Sequence, residues 1–280
     1  MFRGASNRAF GAHQSFGSKG SGMQERMETL GSGPDAMRVF VGLPDGPGPS
    51  GGIVVAQNAG GLNSYLQGVV RDLVAGGYAA VAPDLYHRQH DDILDQVAKL
   101  PEGHADRIPM TLSKVALLQE DEVLEDIAGA SALLRSLPEV DAEHVAVIGF
   151  CMGGRIAFLA PVRGMPFQAS VMYYGAGITS SRDGGPTLLE SAPALQCPLL
   201  GFFGDDDQNP SSAHREEIST ELTRLDKPHE FHHYAGARHG FMEDSNPTLP
   251  GAYHEAGAKD AWGKMLAFFA QHLRAPSPVA

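Results

Sequence analysis

The segment Val145-Ala-Val-Ile-Gly149-Phe-Cys151-Met-Gly-Gly154 leads from an apolar run into Gly154-Arg-Ile-Ala-Phe-Leu159, which has the pattern of a helix. The run Val145-Ala-Val-Ile148 is apolar at every position, as expected for a strand of a parallel sheet covered on both faces. The glycines beside the cysteine remove Cβ atoms that would obstruct a sharp strand-to-helix corner. The segment therefore predicts a nucleophile elbow in an α/β protein, with Cys151 at the corner.

Strand-like and helix-like segments alternate from Met37 onward, and this alternation predicts a mostly parallel central sheet with helices on both faces. Strands are predicted at residues 37–43, 52–57, 78–82, 144–149, 170–174, 198–203 and 230–234. Helices are predicted at residues 62–75, 113–137, 153–159, 211–225 and 258–273. Polar and apolar residues alternate in the first of these strands, so we expect it to be an antiparallel strand at the sheet edge.

The two ends of the chain differ from its centre in composition. Residues 1–33 are rich in Gly, Ser and Arg and lack a clear period, which predicts a disordered N-terminal tail. We expect a single α/β domain over residues 34–274 and a flexible C-terminus at 275–280. The stretch before Met23 is basic and contains no acid. It is compatible with a transit peptide, although a true translation start at Met23 or Met27 is the interpretation we prefer.

Composition excludes several classes of protein. The chain has 280 residues and a formal net charge of −12, without the clusters of Lys and Arg that bind nucleic acid. It has neither an apolar run of membrane-spanning length nor the apolar block of a secretory signal. Its two cysteines, Cys151 and Cys197, do not form a disulfide framework. We therefore expect a cytoplasmic protein, a monomer or a homodimer, with no nucleic-acid or membrane partner.

Polar residues follow three predicted strands where each strand ends. They are Cys151, the run Asp205-Asp-Asp207 and His239. The carboxyl ends of parallel strands meet at one edge of a sheet, where catalytic groups collect. The order of nucleophile, acid and histidine is that of α/β-hydrolase triads. We expect His239 to take the thiol proton and return it to the leaving group, while the acid fixes the tautomer of the imidazole.

Each member of this set has an alternative interpretation. Cys151 could be a small buried apolar residue beside a glycine turn. The aspartates could form a solvated turn, and the spacing to Pro210 favours Asp207 as the acid, followed by Asp206. Three further histidines precede His239, so a zinc site is an alternative, but neither a Cys-x-x-Cys nor a helical His-x-x-x-His pair accompanies them. We expect no metal.

Four segments together are similar to the dienelactone hydrolase family of cysteine-dependent α/β hydrolases, over roughly Met37 to Leu273. They are Ile53-Val-Val-Ala-Gln57-Asn58-Ala-Gly-Gly61, Gly77-Tyr-Ala-Ala-Val-Ala-Pro83-Asp84-Leu85-Tyr86-His87-Arg88-Gln89, the elbow around Cys151, and His239-Gly-Phe241. The resemblance implies an α/β-hydrolase fold, no cofactor, and a triad of Cys151, Asp207 and His239. It also implies an oxyanion hole formed by the backbone N–H groups of Met152 and Ala59, donors that commonly contribute about 3 to 4 kcal/mol to catalysis.

Two positions depart from the family pattern. The resemblance implies a glutamate that exchanges a proton with the thiol, but Asn58 stands there, and an amide cannot accept that proton. The thiolate is therefore expected to depend on His239 and the helix N-terminus. The resemblance also implies two arginines that hold a substrate carboxylate. Arg88 matches the first, whereas Glu243 stands at the second position, where a carboxylate would repel an anionic substrate.

Five residues are candidates for substrate contact: Asn58, Arg88, Tyr86, Tyr174 and Glu243. Arg88 could equally form an ion pair with Asp84 or Asp91, and the two tyrosines could simply pack. The predicted function is hydrolysis of an ester or lactone bond of a small molecule through a thioester on the cysteine. A catalytically weak relative that binds a small molecule or senses through its thiol is the alternative. Acyl transfer to another acceptor is a third interpretation.

Overall fold

The structure is a computed structural model that describes residues 22–46, 48–181, 184–244 and 246–273, and these residues form an eight-stranded sheet. The strands are β1 (Met23–Leu30), β2 (Met37–Pro44), β3 (Ser50–Ala56), β4 (Ala79–Pro83), β5 (Val140–Phe150), β6 (Ser170–Tyr173), β7 (Leu199–Gly204) and β8 (His229–Tyr234). Their order across the sheet is β1-β2-β4-β3-β5-β6-β7-β8. β1 and β2 pair antiparallel, and the strands from β4 to β8 run parallel. The predicted α/β-hydrolase fold with an antiparallel N-terminal edge is confirmed.

Helices cover both faces of this sheet. They are α1 (Ser64–Ala75), α2 (Ile93–Lys99), α3 (Arg107–Ala116), α4 (Glu120–Ser136), α5 (Met152–Val162), α6 (Ser212–Arg224) and α7 (Glu255–His272), with a 3₁₀ helix at Leu189–Ala194. Side chains alternate across β3, so that Ile53 and Val55 pack with α1 and α7 while Val54 packs with α4 and α5. Each buried aliphatic side chain contributes about 1.5–3 kcal/mol. None of the helices in the described ranges is both long and apolar enough to span a bilayer.

The first strand corrects the predicted N-terminal tail. β1 pairs with β2 along its whole length, from Met23 opposite Pro44 to Leu30 opposite Met37. Because β1 lies at the sheet edge and most of its residues are exposed, its sequence has no apolar periodicity. The prediction of a tail over 1–33 is thus wrong for this strand, and residues 37–43 form the second strand rather than the edge. Residues 1–21 and 275–280 lie outside the described residues.

A second correction concerns the long helix predicted over 113–137, which is two helices in the structure. α3 ends before Leu117, and α4 begins after Gln119, whose backbone is extended. Three acidic residues in the first turn of α4 favour a helix start at that point. In α3, moreover, Arg107 and Lys114 are buried whereas Leu112 is exposed. This reversed pattern explains why apolar periodicity does not locate the helix.

Candidate active site

Cys151 forms the corner between β5 and α5, with φ 57° and ψ −114°. A non-glycine residue in such a conformation costs about 1–3 kcal/mol, and it persists where its surroundings hold it. The Cys151 N–H donates to the carbonyl oxygen of Tyr173 at 3.0 Å. A Cβ on Gly149 would lie 1.9 Å from the Gly153 carbonyl oxygen, and one on Gly153 would lie 2.2 Å from that of Ala56. The glycines are thus required by space, and the sharp corner leaves the thiol partly exposed.

His239 follows β8, and its imidazole contacts the carboxylate of Asp207. The distance between His239 Nδ1 and Asp207 Oδ2 is 2.9 Å. The other carboxylate oxygen, Oδ1, accepts from the Asn209 N–H at 2.8 Å. Asp205 instead faces Arg215 at 3.5 Å, and Asp206 is exposed. Of the three consecutive aspartates, Asp207 is therefore the one that orients this imidazole.

The imidazole of His239 favours the protonated form despite its burial. Burial alone lowers its pKa, but the neighbouring Cys151 sulfur and the hydrogen bonds with Asp207 and Cys151 outweigh burial and raise the pKa to about 10. The Tyr174 ring packs edge-on against the imidazole, with 5.0 Å between ring centroids. Because Nδ1 faces Asp207, Nε2 is the nitrogen left to meet the thiol. This arrangement can hold a thiolate–imidazolium pair and can carry a proton to and from the sulfur.

Two backbone segments, the start of α5 and the loop after β3, both approach the Tyr86 hydroxyl. Met152 is the first residue of α5, so its N–H has no partner within the helix. Ala59 lies in the loop after β3, and the Tyr86 hydroxyl donates to its carbonyl oxygen at 3.1 Å. The same hydroxyl lies 3.9 Å from Met152 Sδ. Tyr86 thus links the two residues predicted to form an oxyanion hole, a contact that its sequence position alone does not indicate.

The two positions that depart from the family pattern contact each other. Asn58 Nδ2 donates to Glu243 Oε2 at 3.2 Å, and Asn58 Oδ1 accepts from the Gly60 N–H at 2.8 Å. Asn246 Nδ2 donates to the same carboxylate oxygen at 2.7 Å. Both Asn58 and Glu243 are buried, at 8% and 7% exposure. These residues are 185 positions apart in the chain, so only the fold makes them partners.

Arg88 forms an ion pair with a residue that the sequence did not suggest. Its Nη1 lies 2.7 Å from Oδ2 of Asp126, which is buried in α4. The two predicted partners are occupied elsewhere, Asp84 by Arg38 and Asp91 by Lys114. The predicted pairing is corrected accordingly, because packing of α4 beside the end of β4 brings Asp126 to the arginine. A cavity of about 350 Å³ opens beside Arg88, and its lining includes none of the three residues of the predicted triad.

The histidines of β8 separate rather than converge. His232 and His233 point to opposite faces of the strand, where they stack on Phe202 and Phe203 respectively. Within the ranges that the structure describes, no three His, Cys, Asp or Glu side chains form a group suited to a metal ion. Cys197 is a free, buried thiol whose pKa is raised to about 12 by burial.

Comparisons with known proteins agree on one family. The sequence profile of the Dienelactone hydrolase family matches residues 37–273. A Salmonella typhimurium protein named "Putative carboxymethylenebutenolidase" is 32% identical over 222 residues, which cover 79% of this chain and 77% of that protein. A Bradyrhizobium protein named "Probable 2-oxo-3-(5-oxofuran-2-ylidene)propanoate lactonase" is 27% identical over 246 residues, which cover 87% and 93%. The crystal structure of a "Putative Dienelactone Hydrolase" from Klebsiella pneumoniae superposes with a TM-score of 0.77 at 27% identity, covering 89% of this chain and 99% of the other.

Proposed function

The chain belongs to the dienelactone hydrolase family, and we propose that it hydrolyses an ester or lactone bond of a small molecule through a thioester on Cys151. The names of its relatives support the class of bond, since both a butenolidase and a lactonase open a lactone. The contacts from Asp207 through His239 to Cys151 are the observation that carries the catalytic assignment. The reaction needs water and no cofactor.

The proposed reaction has two halves. In the first, Cys151 Sγ attacks the carbonyl carbon, and the thiol proton resides on Nε2 of His239. The resulting oxyanion accepts hydrogen bonds from the N–H groups of Met152 and Ala59. When the C–O bond breaks, the leaving oxygen takes the proton from His239, and the acyl group remains on the sulfur as a thioester. In the second half, His239 takes a proton from water, whose oxygen attacks the thioester, and the released thiolate pairs again with the imidazolium.

The charges around the site favour an uncharged substrate. Glu243 is a buried carboxylate, and together with Cys151 it raises the pKa of buried Tyr174, beyond the larger effect of burial itself. The charge of Arg88 is already offset by its ion pair with Asp126. We therefore propose a neutral ester or lactone, with Tyr86 and Tyr174 as walls of its pocket.

A panel of aryl esters and small lactones tests this function. We expect turnover of neutral substrates, and a kcat/KM at least about fivefold lower for a lactone bearing a carboxylate than for its methyl ester, because close like charges cost on the order of 1 kcal/mol or more. Saturable binding without turnover across the panel would instead favour the alternative of a binding or sensing protein. Equal kcat/KM for the acid and its methyl ester would contradict the proposed substrate class.

Alkylation by iodoacetamide tests how the thiol is activated. Asp207→Asn removes a hydrogen bond that raises the pKa of His239. Since a hydrogen bond to a charged group contributes about 1.5–3 kcal/mol, we expect the alkylation rate of Cys151 at pH 7 to fall about tenfold or more. The rate is measured by mass spectrometry of the Cys151 peptide. Cys197 stays unmodified under these conditions, because burial raises its pKa to about 12.

The exposed neighbour Asp206 provides the matched control for that experiment. Asp206→Asn removes the same charge one position away without touching His239, so its alkylation rate should equal that of the native enzyme. An unchanged rate in Asp207→Asn would show that the imidazole does not activate the thiol.

The raised pKa of His239 also predicts the alkaline limit of activity. Imidazolium is the form that protonates the leaving oxygen, and it persists until the pH approaches about 10. We expect kcat/KM to fall as the pH rises through this value, and to fall at lower pH in Asp207→Asn. A pH profile with stopped-flow mixing and subtraction of spontaneous hydrolysis measures both. A decline near pH 6.5, where a free imidazole titrates, would contradict the assigned protonation state.

A further inference from the structure

The peptide group between Ala59 and Gly60 is held at both ends by side chains. Its carbonyl oxygen accepts from the Tyr86 hydroxyl at 3.1 Å. Its N–H donates to Asn58 Oδ1 at 2.8 Å. Tyr86 and Asn58 are 5% and 8% exposed, so water competes little for these hydrogen bonds. The backbone at Ala59 therefore takes its orientation from these two side chains.

Asn58 is itself held by the loop that carries His239. Its amide nitrogen donates to Glu243 Oε2 at 3.2 Å, and Glu243 follows His239 by four positions in the chain. Asn246 Nδ2 donates to the same oxygen at 2.7 Å, which fixes the carboxylate from its other side. A continuous set of hydrogen bonds thus joins the loop that carries the imidazole to the loop that carries Ala59.

The chemistry of an amide explains why asparagine occupies position 58. An amide accepts through its oxygen and donates through its nitrogen at the same time, whereas an ionised carboxylate only accepts. A carboxylate at this position could still accept from the Gly60 N–H. It could not donate to Glu243, and the two carboxylates would repel each other. Asn58 and Glu243 are therefore complementary, with the amide as donor and the carboxylate as acceptor.

We propose that Asn58, Glu243 and Tyr86 are positioning residues that aim the Ala59 N–H at the oxyanion of the reaction. This inference rests on the proposed function, in which that N–H stabilises the oxyanion. Their hydrogen bonds fix the peptide group that directly follows the Ala59 N–H. Because that N–H interacts most strongly in the transition state, we expect these residues to govern kcat more than KM. Complete loss of one such donor costs about 10²–10³ in kcat, which is an upper limit for a donor that is only displaced.

A reciprocal exchange of the two residues tests the pair. In N58D two carboxylates face each other, and we expect kcat to fall by about 10- to 100-fold while KM changes less than about threefold. In E243Q the side-chain oxygen still accepts from Asn58, so kcat should fall less than about fivefold. In the double variant N58D/E243Q, the amide at position 243 can donate to the carboxylate at position 58 and accept from Asn246 through its oxygen. We expect this exchange to restore kcat to within about fivefold of the native value.

Two further measurements separate positioning from structural damage. Tyr86→Phe keeps the ring and removes only the hydroxyl that holds the Ala59 carbonyl, so kcat should fall about 3- to 10-fold with KM unchanged. The iodoacetamide rate of Cys151 should stay at the native value in Tyr86→Phe, because this change adds no charge and leaves the contacts of the imidazole that activates the thiol intact.

Three results would overturn the inference: native kcat in N58D and Tyr86→Phe, failure of the double variant to exceed N58D, or effects confined to KM, which would indicate substrate contact. The Cys151→Ala variant, assayed in parallel, distinguishes this from failure of the proposed function. Undiminished turnover in Cys151→Ala would reject the thioester mechanism itself. Loss of turnover in Cys151→Ala together with native kcat in N58D would reject only the positioning role.

Discussion

We expect that replacing Cys151 with alanine lowers ester turnover by on the order of 10⁴-fold or more, in line with the loss of a nucleophile in other triad hydrolases. The sulfur is the only atom in the proposed reaction that forms a bond to the acyl carbon before water does. The residual turnover of this variant comes from the stabilisation that the oxyanion donors and substrate binding supply. The fold should be unaffected, because alanine and cysteine both carry a Cβ at the positive φ of this position and the thiol is partly exposed.

The measurement is kcat/KM on an aryl acetate, together with the Tm of each variant. Cys197→Ala is the matched control, since this thiol is buried near the start of β7 and has no role in the reaction. Cys197→Ala should keep native turnover and lose about 1 kcal/mol of stability from the small cavity left behind. Turnover within about tenfold of native in Cys151→Ala would mean that another group attacks the substrate.

Gly153→Ala is expected to lower the free energy of unfolding strongly. Its Cβ would lie 2.2 Å from the Ala56 carbonyl oxygen and 2.7 Å from that of Gln57. Both contacts are backbone atoms at the end of β3 and its following loop, so they cannot move aside as a flexible side chain can. Either α5 must shift away from the sheet or the strand must bend. We expect a loss of about 4 kcal/mol or more, at the upper end of single-substitution effects.

Urea unfolding of Gly153→Ala and of Gly263→Ala measures this effect against a control. Gly263 is exposed in α7, and no atom lies within 4 Å of a Cβ built on it. Alanine there should raise the free energy of unfolding by about 0.5–1 kcal/mol through helix propensity. Native stability in Gly153→Ala would contradict the close approach of α5 to β3 on which the corner at Cys151 depends.

The sequence predicts those parts of the fold that depend on local pattern. Fully apolar runs such as Val145–Ile148 identify the central parallel strands, because both faces of such a strand are buried. The glycines around Cys151 identify the elbow, because backbone crowding there excludes any Cβ. Cys151, Asp207 and His239 each follow a parallel strand, and the carboxyl ends of such strands lie at one edge of the sheet. The proximity of these three groups was therefore predictable, whereas their catalytic roles remain a proposal.

Features that depend on packing between distant segments were not predictable. β1 has no buried residue, and backbone pairing with β2 holds it in the sheet. α3 turns Arg107 and Lys114 inward, against the usual amphipathic pattern. Arg88 finds Asp126 because α4 packs beside β4. In each case the deciding partner lies on another element of the fold, and no local spacing indicates it.

The relation between Asn58 and Glu243 illustrates the same limit at the site. Considered separately, Asn58 and Glu243 each look like the loss of a functional group that the family pattern has at that position. The fold places them 3.2 Å apart, where the amide donates to the carboxylate. The pair then explains both residues at once, and it connects the loop after β3 to the loop that carries His239.

Mass spectrometry of the enzyme during turnover of an aryl ester tests the central claim most directly. Rapid acid quenching within the first turnover should trap an acyl group on the Cys151 peptide, and this group should be released by hydroxylamine, as a thioester is. The adduct should form and decay at rates that account for kcat, and it should be absent from Cys151→Ala. Full turnover with no acyl group on Cys151, or with the acyl group on another residue, would contradict the account.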